Sequence, residues 1–97
     1  MMIDEYAEWA AGTAKVSARA AAEQLAYLGL GLVGESGEVA ELIKKLLRDG
    51  KLDQAALIEE LGDVVYYWAC LCRAAGKNPS EILVASRLKI DRRMAAS

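Results

Sequence analysis

The sequence predicts an all-α protein, a bundle of four helices. Its composition is 55% hydrophobic with one proline and no phenylalanine, and alanine, leucine and glutamate are plentiful, which is typical of packed helices. Apolar residues recur at steps of three and four, the spacing of one helix face, and no strand is predicted. Because 97 residues leave no room for a second domain, residues 1–97 are expected to form a single one.

The first half of the chain is expected to form two helices. The first covers residues 3–11, and Gly12 is expected to end it. The second is long, since it begins near residue 17 or 18 and runs to Arg48. Gly50 follows in the position that glycine commonly takes just after a helix.

The second half predicts two more helices, each with its own start signal. Asp53 is a suitable N-cap for the third helix, because its carboxylate can accept a backbone N–H of the first turn, and Gly76 stops this helix after Ala75. The segment NPSE at 78–81 then offers an asparagine cap, a proline at the first helical position and a glutamate at the third. The fourth helix is expected to continue to about Met94.

Charge and hydropathy exclude several classes of protein. The formal net charge is −2 and the sequence pI is near 5.1, which argues against a nucleic-acid partner. The longest largely apolar run, residues 25–34, is too short to span a bilayer, and residues 1–10 do not resemble a signal peptide. Cys70 and Cys72 point about 200° apart on a helix, so no disulfide between them is expected. Both are interpreted as reduced cysteines of a cytoplasmic protein with no membrane partner.

The chain contains no histidine. This absence excludes Ser-His-Asp and Cys-His catalysis, zinc sites of mixed Cys/His type, and di-iron sites built from Glu-x-x-His pairs. Any chemistry must therefore be carried by carboxylates, lysines, arginines and tyrosines.

Two of the predicted helices carry carboxylates where apolar side chains are expected. On the second helix, Glu35 points within roughly 40° of the centre of the apolar stripe, and Glu38 lies about 100° from that centre. On the third helix, Glu60 lies roughly 70° from the centre of the stripe and Asp63 roughly 130°, while Glu59 faces away. The two stripes consist of Leu28, Leu32, Val39, Leu42 and Leu46 on the second helix, and of Leu57, Leu61, Val64, Trp68 and Leu71 on the third.

Each of these helices brings an inward-leaning acid and a second acid three residues later, so that each pair can converge. Four carboxylates in one place need protons or cations to offset their repulsion, and an all-oxygen ligand set suits Mg²⁺ or Mn²⁺. Two alternatives remain open, namely surface acids paired with Lys44, Lys45 or Arg48, and a buried arginine partner. Three glycines flank the acids and would let a helix or a ligand approach closely, although tight helix packing alone would also explain them: Gly34, Gly37 and Gly62.

The segments GLVGESGEVAELIKK and EELGDVVYYW together resemble the MazG-type nucleoside triphosphate pyrophosphohydrolases, which belong to the all-α NTP pyrophosphatase superfamily. That family is marked by Glu-x-x-Glu, a spacer and Glu-x-x-Asp. Here the motif reads Glu35, Glu38, a spacer over 39–59, Glu60 and Asp63. Either half alone is common on helices, but the two halves with the glycines and the following tyrosines form a strong signal.

The resemblance implies an enzyme that depends on Mg²⁺, with Mn²⁺ as a substitute, and that cuts a nucleoside triphosphate into a monophosphate and pyrophosphate. Such a reaction would cleanse the nucleotide pool. The four acids would hold the metal and serve as the catalytic residues. Tyr67, Lys89 and Arg92 match family residues near the triphosphate, and Tyr27 could stack on a base. These four are the expected substrate-binding residues.

Two other functions remain open from the sequence. One is a pyrophosphatase of the same fold specific for dUTP or another pyrimidine, and the other is a catalytically idle helical module that binds nucleotides. Retention of all four acids counts against the idle module, since a pure scaffold would gain from leucine at position 35. Apolar residues off the main stripes, such as Val33, Val65 and Ala69, would be covered by another subunit. The core is therefore expected to be completed in a homodimer or homotetramer.

Overall fold

In a computed structural model of the protein, which describes all of residues 1–97, the chain forms four helices and no strand. The helices are α1 (Ile3–Thr13), α2 (Ala21–Asp49), α3 (Gln54–Ala74) and α4 (Pro79–Ala96). The predicted all-α architecture is therefore confirmed. None of these helices has the length and apolar character needed to cross a membrane.

The segment between α1 and α2 differs from the sequence prediction. The first helix passes through Gly12 and ends at Thr13, whose hydroxyl donates to the carbonyl of Ala10 at 2.9 Å. Lys15 then adopts a left-handed conformation with φ of 55°, and this reverses the chain. The second helix begins at Ala21 rather than at residue 17 or 18, because Val16 is drawn into the core and residues 17–20 complete the turn.

A short connection joins α2 to α3 and fixes them as an antiparallel hairpin. Gly50 has the left-handed φ of 73° that favours glycine, and its N–H donates to the carbonyl of Leu46 at 2.8 Å. Three residues later, the Asp53 carboxylate accepts the N–H of Ala56 at 3.0 Å, which caps α3 as predicted. Because only residues 50–53 separate the two helices, they pack side by side along their length.

The start of α4 is held by two sets of hydrogen bonds. The backbone N–H of Asn78 donates to Oε2 of Glu81 at 2.8 Å, the helix-to-cap half of a capping box, with Pro79 in the first turn. Asp4 on α1 accepts both the backbone N–H of Ser80, at 2.9 Å, and its hydroxyl. Beyond this anchor the helix leaves the bundle, since residues 87–97 are all exposed and no part of α4 approaches α2.

The core of the single chain is small, and α3 is its central element. Only eight of 97 residues are buried, and α3 is the one helix that contacts the other three. Leu28 of α2, Ala10 of α1 and Cys70 of α3 meet there with Val16 from the linker. Cys70 and Cys72 are both buried and free, and burial raises the pKa of each thiol. One chain thus closes only part of its apolar surface.

Candidate active site

Three carboxylates converge between α2 and α3. Each of Glu35, Glu60 and Asp63 offers one carboxylate oxygen, and these oxygens all lie within 4.8 Å of one another. Glu35 projects from the middle of α2, whereas Glu60 and Asp63 lie one turn apart on α3. The hairpin connection sets the register of the two helices, so it also brings these acids to the same level.

Glu60, like Glu35, is half-buried, whereas Asp63 is exposed. The Oε2 atom of Glu60 is buried and has no hydrogen-bond partner, while Glu59 beside it is exposed, as the helical count predicts. The pKa of the Glu60 carboxyl is raised, first because Glu35 lies close enough to share a proton with it, and then by burial and by the charges of Glu35 and Asp63. The Glu60 carboxyl therefore resists ionisation unless a cation offsets the negative charge of Glu35 and Asp63, or a proton on one of these neighbours does so.

The residues present fit a divalent cation. Three carboxylates and an unsatisfied buried oxygen form an all-oxygen set of the kind that Mg²⁺ and Mn²⁺ prefer. No basic side chain of the protein offsets their charge, because its three ion pairs all lie elsewhere: Arg19–Glu23, Arg48–Asp49 and Arg87–Asp91. The alternative that Glu35 pairs with a buried arginine is therefore not observed.

The fourth acid of the motif lies apart from this group. Glu38 is exposed, one turn beyond Glu35 on α2, and is not among the three residues whose oxygens converge. The structure thus brings together three of the four predicted acids and leaves Glu38 at the solvent edge.

Tyr67 packs directly on the backbone of α2 beside the acids. A Cβ atom added at Gly31 would lie 2.3 Å from Cε1 of Tyr67, so no larger residue fits there without displacing the ring. Burial is the first cause of a raised pKa of the Tyr67 phenol, followed by the charges of neighbours that include Tyr27 and Glu35. Gly31 lies one turn before Glu35, and nothing in the sequence distinguishes it from the other glycines of α2.

The three glycines predicted from the sequence do not admit a neighbouring helix within one chain. A Cβ at Gly34, Gly37 or Gly62 would meet nothing within 4 Å. Close approach to the helix backbone therefore occurs at Gly31, and the prediction that these three glycines admit a neighbouring helix is not met inside a single chain.

The remaining predicted substrate-binding residues lie outside the acid cluster. Lys89 and Arg92 are exposed on the distal half of α4 and form no ion pair. Tyr27 is 45% exposed on α2, with the guanidinium of Arg19 stacked over its ring at 5.1 Å from the centroid. Of the four predicted substrate-binding residues, Tyr67 alone is positioned against α2 near Glu35.

Helix α1 is fastened to α3 next to this site. The hydroxyl groups of Thr13 and Tyr66 are 2.6 Å apart. The Tyr66 ring stacks edge-on against Tyr67, at 5.4 Å between centroids, and against Trp9, at 6.3 Å. These contacts link the position of Tyr67 to that of α1.

A cavity of about 190 Å³ lies under the linker that follows α1. Val16, Gln24, Leu28, Cys70 and Arg73 contribute to its lining, and none of the acids does. It is therefore separate from the carboxylate cluster.

Comparison with known proteins identifies the family of the chain. The family model described as the MazG nucleotide pyrophosphohydrolase domain matches residues 23–93. The chain is also similar to the Gene 37 protein of Mycobacterium phage L5, with 50% identity over 54 residues that cover 50% of this chain and 47% of the phage protein. The chain thus spans about half the length of that relative. No solved structure matches the chain. Since the family match includes all three converging acids, the protein belongs to the MazG nucleotide pyrophosphohydrolase domain family.

Proposed function

We propose that the protein hydrolyses nucleoside triphosphates to nucleoside monophosphate and pyrophosphate with the help of Mg²⁺, and so removes unwanted triphosphates from the nucleotide pool. The observation that carries this proposal is the convergence of Glu35, Glu60 and Asp63 around an oxygen that no atom of the chain satisfies. Membership of a nucleotide pyrophosphohydrolase family supports the class of reaction. We also infer that the protein works as a homodimer or homotetramer.

Each residue of the site has a proposed role. Glu35, Glu60 and Asp63 would hold the ion through their carboxylate oxygens, and Glu38 would complete the set or accept a proton at the solvent edge. A bound Mg²⁺ supplies charge neutralisation and a more acidic water. The Tyr67 phenol would exclude water on one side and offer its hydroxyl to a phosphate oxygen, while Lys89 and Arg92 would bind the triphosphate.

A substrate panel tests the reaction class. The protein is incubated with each NTP and dNTP in Mg²⁺, and the products are separated and quantified. The expected products are monophosphate and pyrophosphate in equal amounts. Orthophosphate with a nucleoside diphosphate, or no turnover of any member of the panel, would overturn the proposal.

Two adjacent glutamates provide a matched pair of variants. Glu60→Gln removes a carboxylate of the cluster and is expected to reduce kcat/KM at least ~100-fold, the upper range for losing a group that only supports a metal ligand. Glu59→Gln changes the exposed neighbour and is expected to stay within about twofold, as exposed substitutions usually do. Equal losses in the two variants would contradict the assignment of Glu60.

A further inference from the structure

A row of four aromatic rings leads from helix α1 to the acid cluster. The ring centroid of Trp9 lies 6.3 Å from that of Tyr66, which in turn lies 5.4 Å from that of Tyr67. The fourth ring, Tyr6, lies 5.5 Å from Trp9. Because Tyr67 packs against α2 near Glu35, the indole of Trp9 is only two rings away from the site.

The α1 end of this row also lies close to the acids themselves. Burial is the first cause of a raised pKa of the Tyr6 phenol, followed by the charges of neighbours that include Asp63. Tyr6 is therefore within electrostatic range of the acid cluster. Trp9 follows Tyr6 by three residues, so the two side chains are neighbours on the same side of α1.

Trp9 is a single exposed ring in polar surroundings. It is 58% exposed and is the only exposed large apolar residue of α1. A surface that docks another protein usually presents a contiguous patch of several apolar side chains, whereas one ring beside acids fits one planar group. The other exposed residues of this helix are Glu5, Glu8, Gly12 and Thr13.

Gly12 leaves the space beside the Trp9 ring open. It lies about one turn after Trp9, and side chains on a helix lean toward the N-terminus, so a side chain at position 12 would extend toward the indole. A Cβ atom added at Gly12 would meet nothing within 4 Å. Packing within the chain therefore does not require this glycine, although alanine would favour the helix. Its effect is to keep the indole accessible.

A nucleobase is the planar group that the proposed function brings to this place. Bases stack favourably on aromatic side chains, because every base has a π-face. The row of rings also spans a distance similar to that between the phosphates and the base of one nucleotide. Tyr27, the residue that the sequence suggests for stacking, has the guanidinium of Arg19 over its ring at 5.1 Å from the centroid. Its ring is therefore less accessible than that of Trp9.

We propose that the base of the nucleotide substrate stacks on the indole ring of Trp9 while its phosphates are held at the acid cluster. This inference rests on the proposed function, which supplies the nucleotide, and adds a binding residue that lies outside the acid motif. Stacking contacts the face of the base and not its hydrogen-bonding edge, so Trp9 contributes affinity for purines and pyrimidines alike. The contact is the same before and during bond cleavage, so it lowers KM and leaves kcat unchanged.

The kinetics of Trp9→Ala test this contact. KM for the best nucleotide of the substrate panel is expected to rise about 5- to 150-fold, the effect of losing one base–aromatic stack, while kcat stays within about threefold. Trp9→Phe is expected to keep most of the affinity, because phenylalanine also offers a ring. Val84→Ala changes a residue of similar exposure, 59%, on α4 and is expected to stay within about twofold of wild type. An unchanged KM in Trp9→Ala, or a loss confined to kcat, would overturn the proposal.

Tryptophan fluorescence measures the same contact without turnover. The chain has two tryptophans, so Trp68→Phe leaves Trp9 as the single reporter. If this variant fails to fold, wild type is compared with Trp9→Phe instead. The probe is the best nucleotide with a methylene group between its α- and β-phosphates, and it is expected to quench the emission of Trp9 in Mg²⁺.

Inorganic triphosphate, which has no base, is the control probe and is expected to leave the emission unchanged. No quenching by the nucleotide analogue, or equal quenching by the two probes, would refute the stack. The result is distinguishable from a failure of the proposed function. Turnover without quenching contradicts only this inference, and quenching without turnover contradicts only the proposed reaction.

Discussion

At the scale of single residues, the unsatisfied oxygen of Glu60 is the feature that separates a metal-binding protein from a simple helical scaffold. A buried polar atom without a partner costs free energy, and buried oxygens are paired in nearly all native structures. Here the partner is missing while two other carboxylates face the same point. This arrangement destabilises the metal-free chain, and under the proposed function a divalent cation bound there would stabilise it.

Replacing Glu35 is expected to separate stability from activity. Glu35→Leu continues the apolar stripe of α2 and removes the first cause of the raised Glu60 pKa. In EDTA the variant is expected to be more stable by about 1 kcal/mol, the low end of the ~1–4 kcal/mol range because Glu35 is only half-buried. Hydrolysis is expected to be lost, since one of the proposed metal ligands is removed.

Urea unfolding in EDTA and a pyrophosphate assay measure the two effects of Glu35→Leu. Leu32→Ala, on the same face of α2, serves as the control for stability and is expected to be destabilising. If Glu35→Leu unfolds the protein in EDTA, then the carboxylate supports the structure and its proposed role is wrong.

Gly31 is expected to be the glycine of α2 that least tolerates a side chain. Alanine at an unobstructed helical glycine stabilises by up to ~1 kcal/mol, and this is the expectation for Gly34→Ala, where nothing lies within 4 Å. Gly31→Ala must displace the Tyr67 ring and is expected to cost about 1–3 kcal/mol, as overpacking does, and to lower activity.

Thermal unfolding compares the two alanine variants, and NMR of ¹³C-labelled tyrosine follows the Tyr67 ring. The ring resonances are expected to shift in Gly31→Ala and to keep their wild-type positions in Gly34→Ala. Equal stability and unchanged tyrosine spectra would show that the ring is not held by this contact.

The sequence predicted the direction of the acids better than the use of the glycines. Helical periodicity is enough to place Glu60 inward and Glu59 outward, because it depends only on the register of one helix. The contact at Gly31 depends on where a ring from another helix crosses α2, which periodicity does not contain. The sequence favours Gly34 and Gly37 instead, because they lie closer to the acids along the chain.

At the scale of elements, the helix ends show which local signals are decisive. Gly50 and Asp53 act as predicted, because each supplies a conformation or a hydrogen bond that the helix end needs. Gly12 does not stop α1, since glycine in a helix costs only ~1 kcal/mol and neighbouring contacts outweigh it. The late start of α2 follows from the burial of Val16, a tertiary contact with no local signature.

The link between α1 and α4 is expected to respond to pH. Hydrogen bonds from the hydroxyl and the backbone N–H of Ser80 hold the pKa of Asp4 below its ordinary value of 3.8. Because the folded-state pKa is the lower one, ionised Asp4 stabilises the fold above pH 3.8, and this contribution is lost as the pH falls through the folded value. Ser80→Ala is therefore expected to lower the melting temperature at neutral pH, by an amount that shrinks in acid.

Circular dichroism melts across this pH range test the link. Ser86→Ala, a change of the same type at another half-buried serine of α4, is the control and is expected to show no such pH dependence. A deficit in Ser80→Ala that stays constant into acid would mean that the charge of Asp4 is not involved.

At the scale of the whole molecule, Mg²⁺ is expected to stabilise the fold by mass action. Free Mg²⁺ at ten to a hundred times its Kd raises the free energy of unfolding by about 1.4–2.7 kcal/mol. For a chain of this size the melting temperature should rise by roughly 5 °C or more. The measurement compares melts in EDTA and in Mg²⁺ at matched ionic strength and protein concentration.

Glu60→Gln is the control for the effect of Mg²⁺ and is expected to lose most of the shift. Coincident melts of wild type with and without Mg²⁺, together with no heat of binding by calorimetry, would contradict the metal site. An equal shift in Glu60→Gln would indicate ion binding elsewhere on the chain.

The arrangement of the whole chain is the part that the sequence predicted least. The all-α class and the three converging acids follow from periodicity and motif spacing. The position of α4 does not, because its course beyond Ser80 is set by few contacts within the chain. Lys89 and Arg92, which the sequence resemblance predicts near the substrate, therefore lie away from Glu35 in the single chain.

The two buried cysteines give the protein a built-in chemical reporter of its own opening. A thiol reagent attacks the thiolate, and in the folded chain Cys70 and Cys72 are both covered and held in the protonated form. Labelling can then proceed only when the part of α3 that holds them detaches, so the modification rate measures how often that happens. Labelling is expected to slow in Mg²⁺, because an ion held between α2 and α3 would stabilise the folded position of α3.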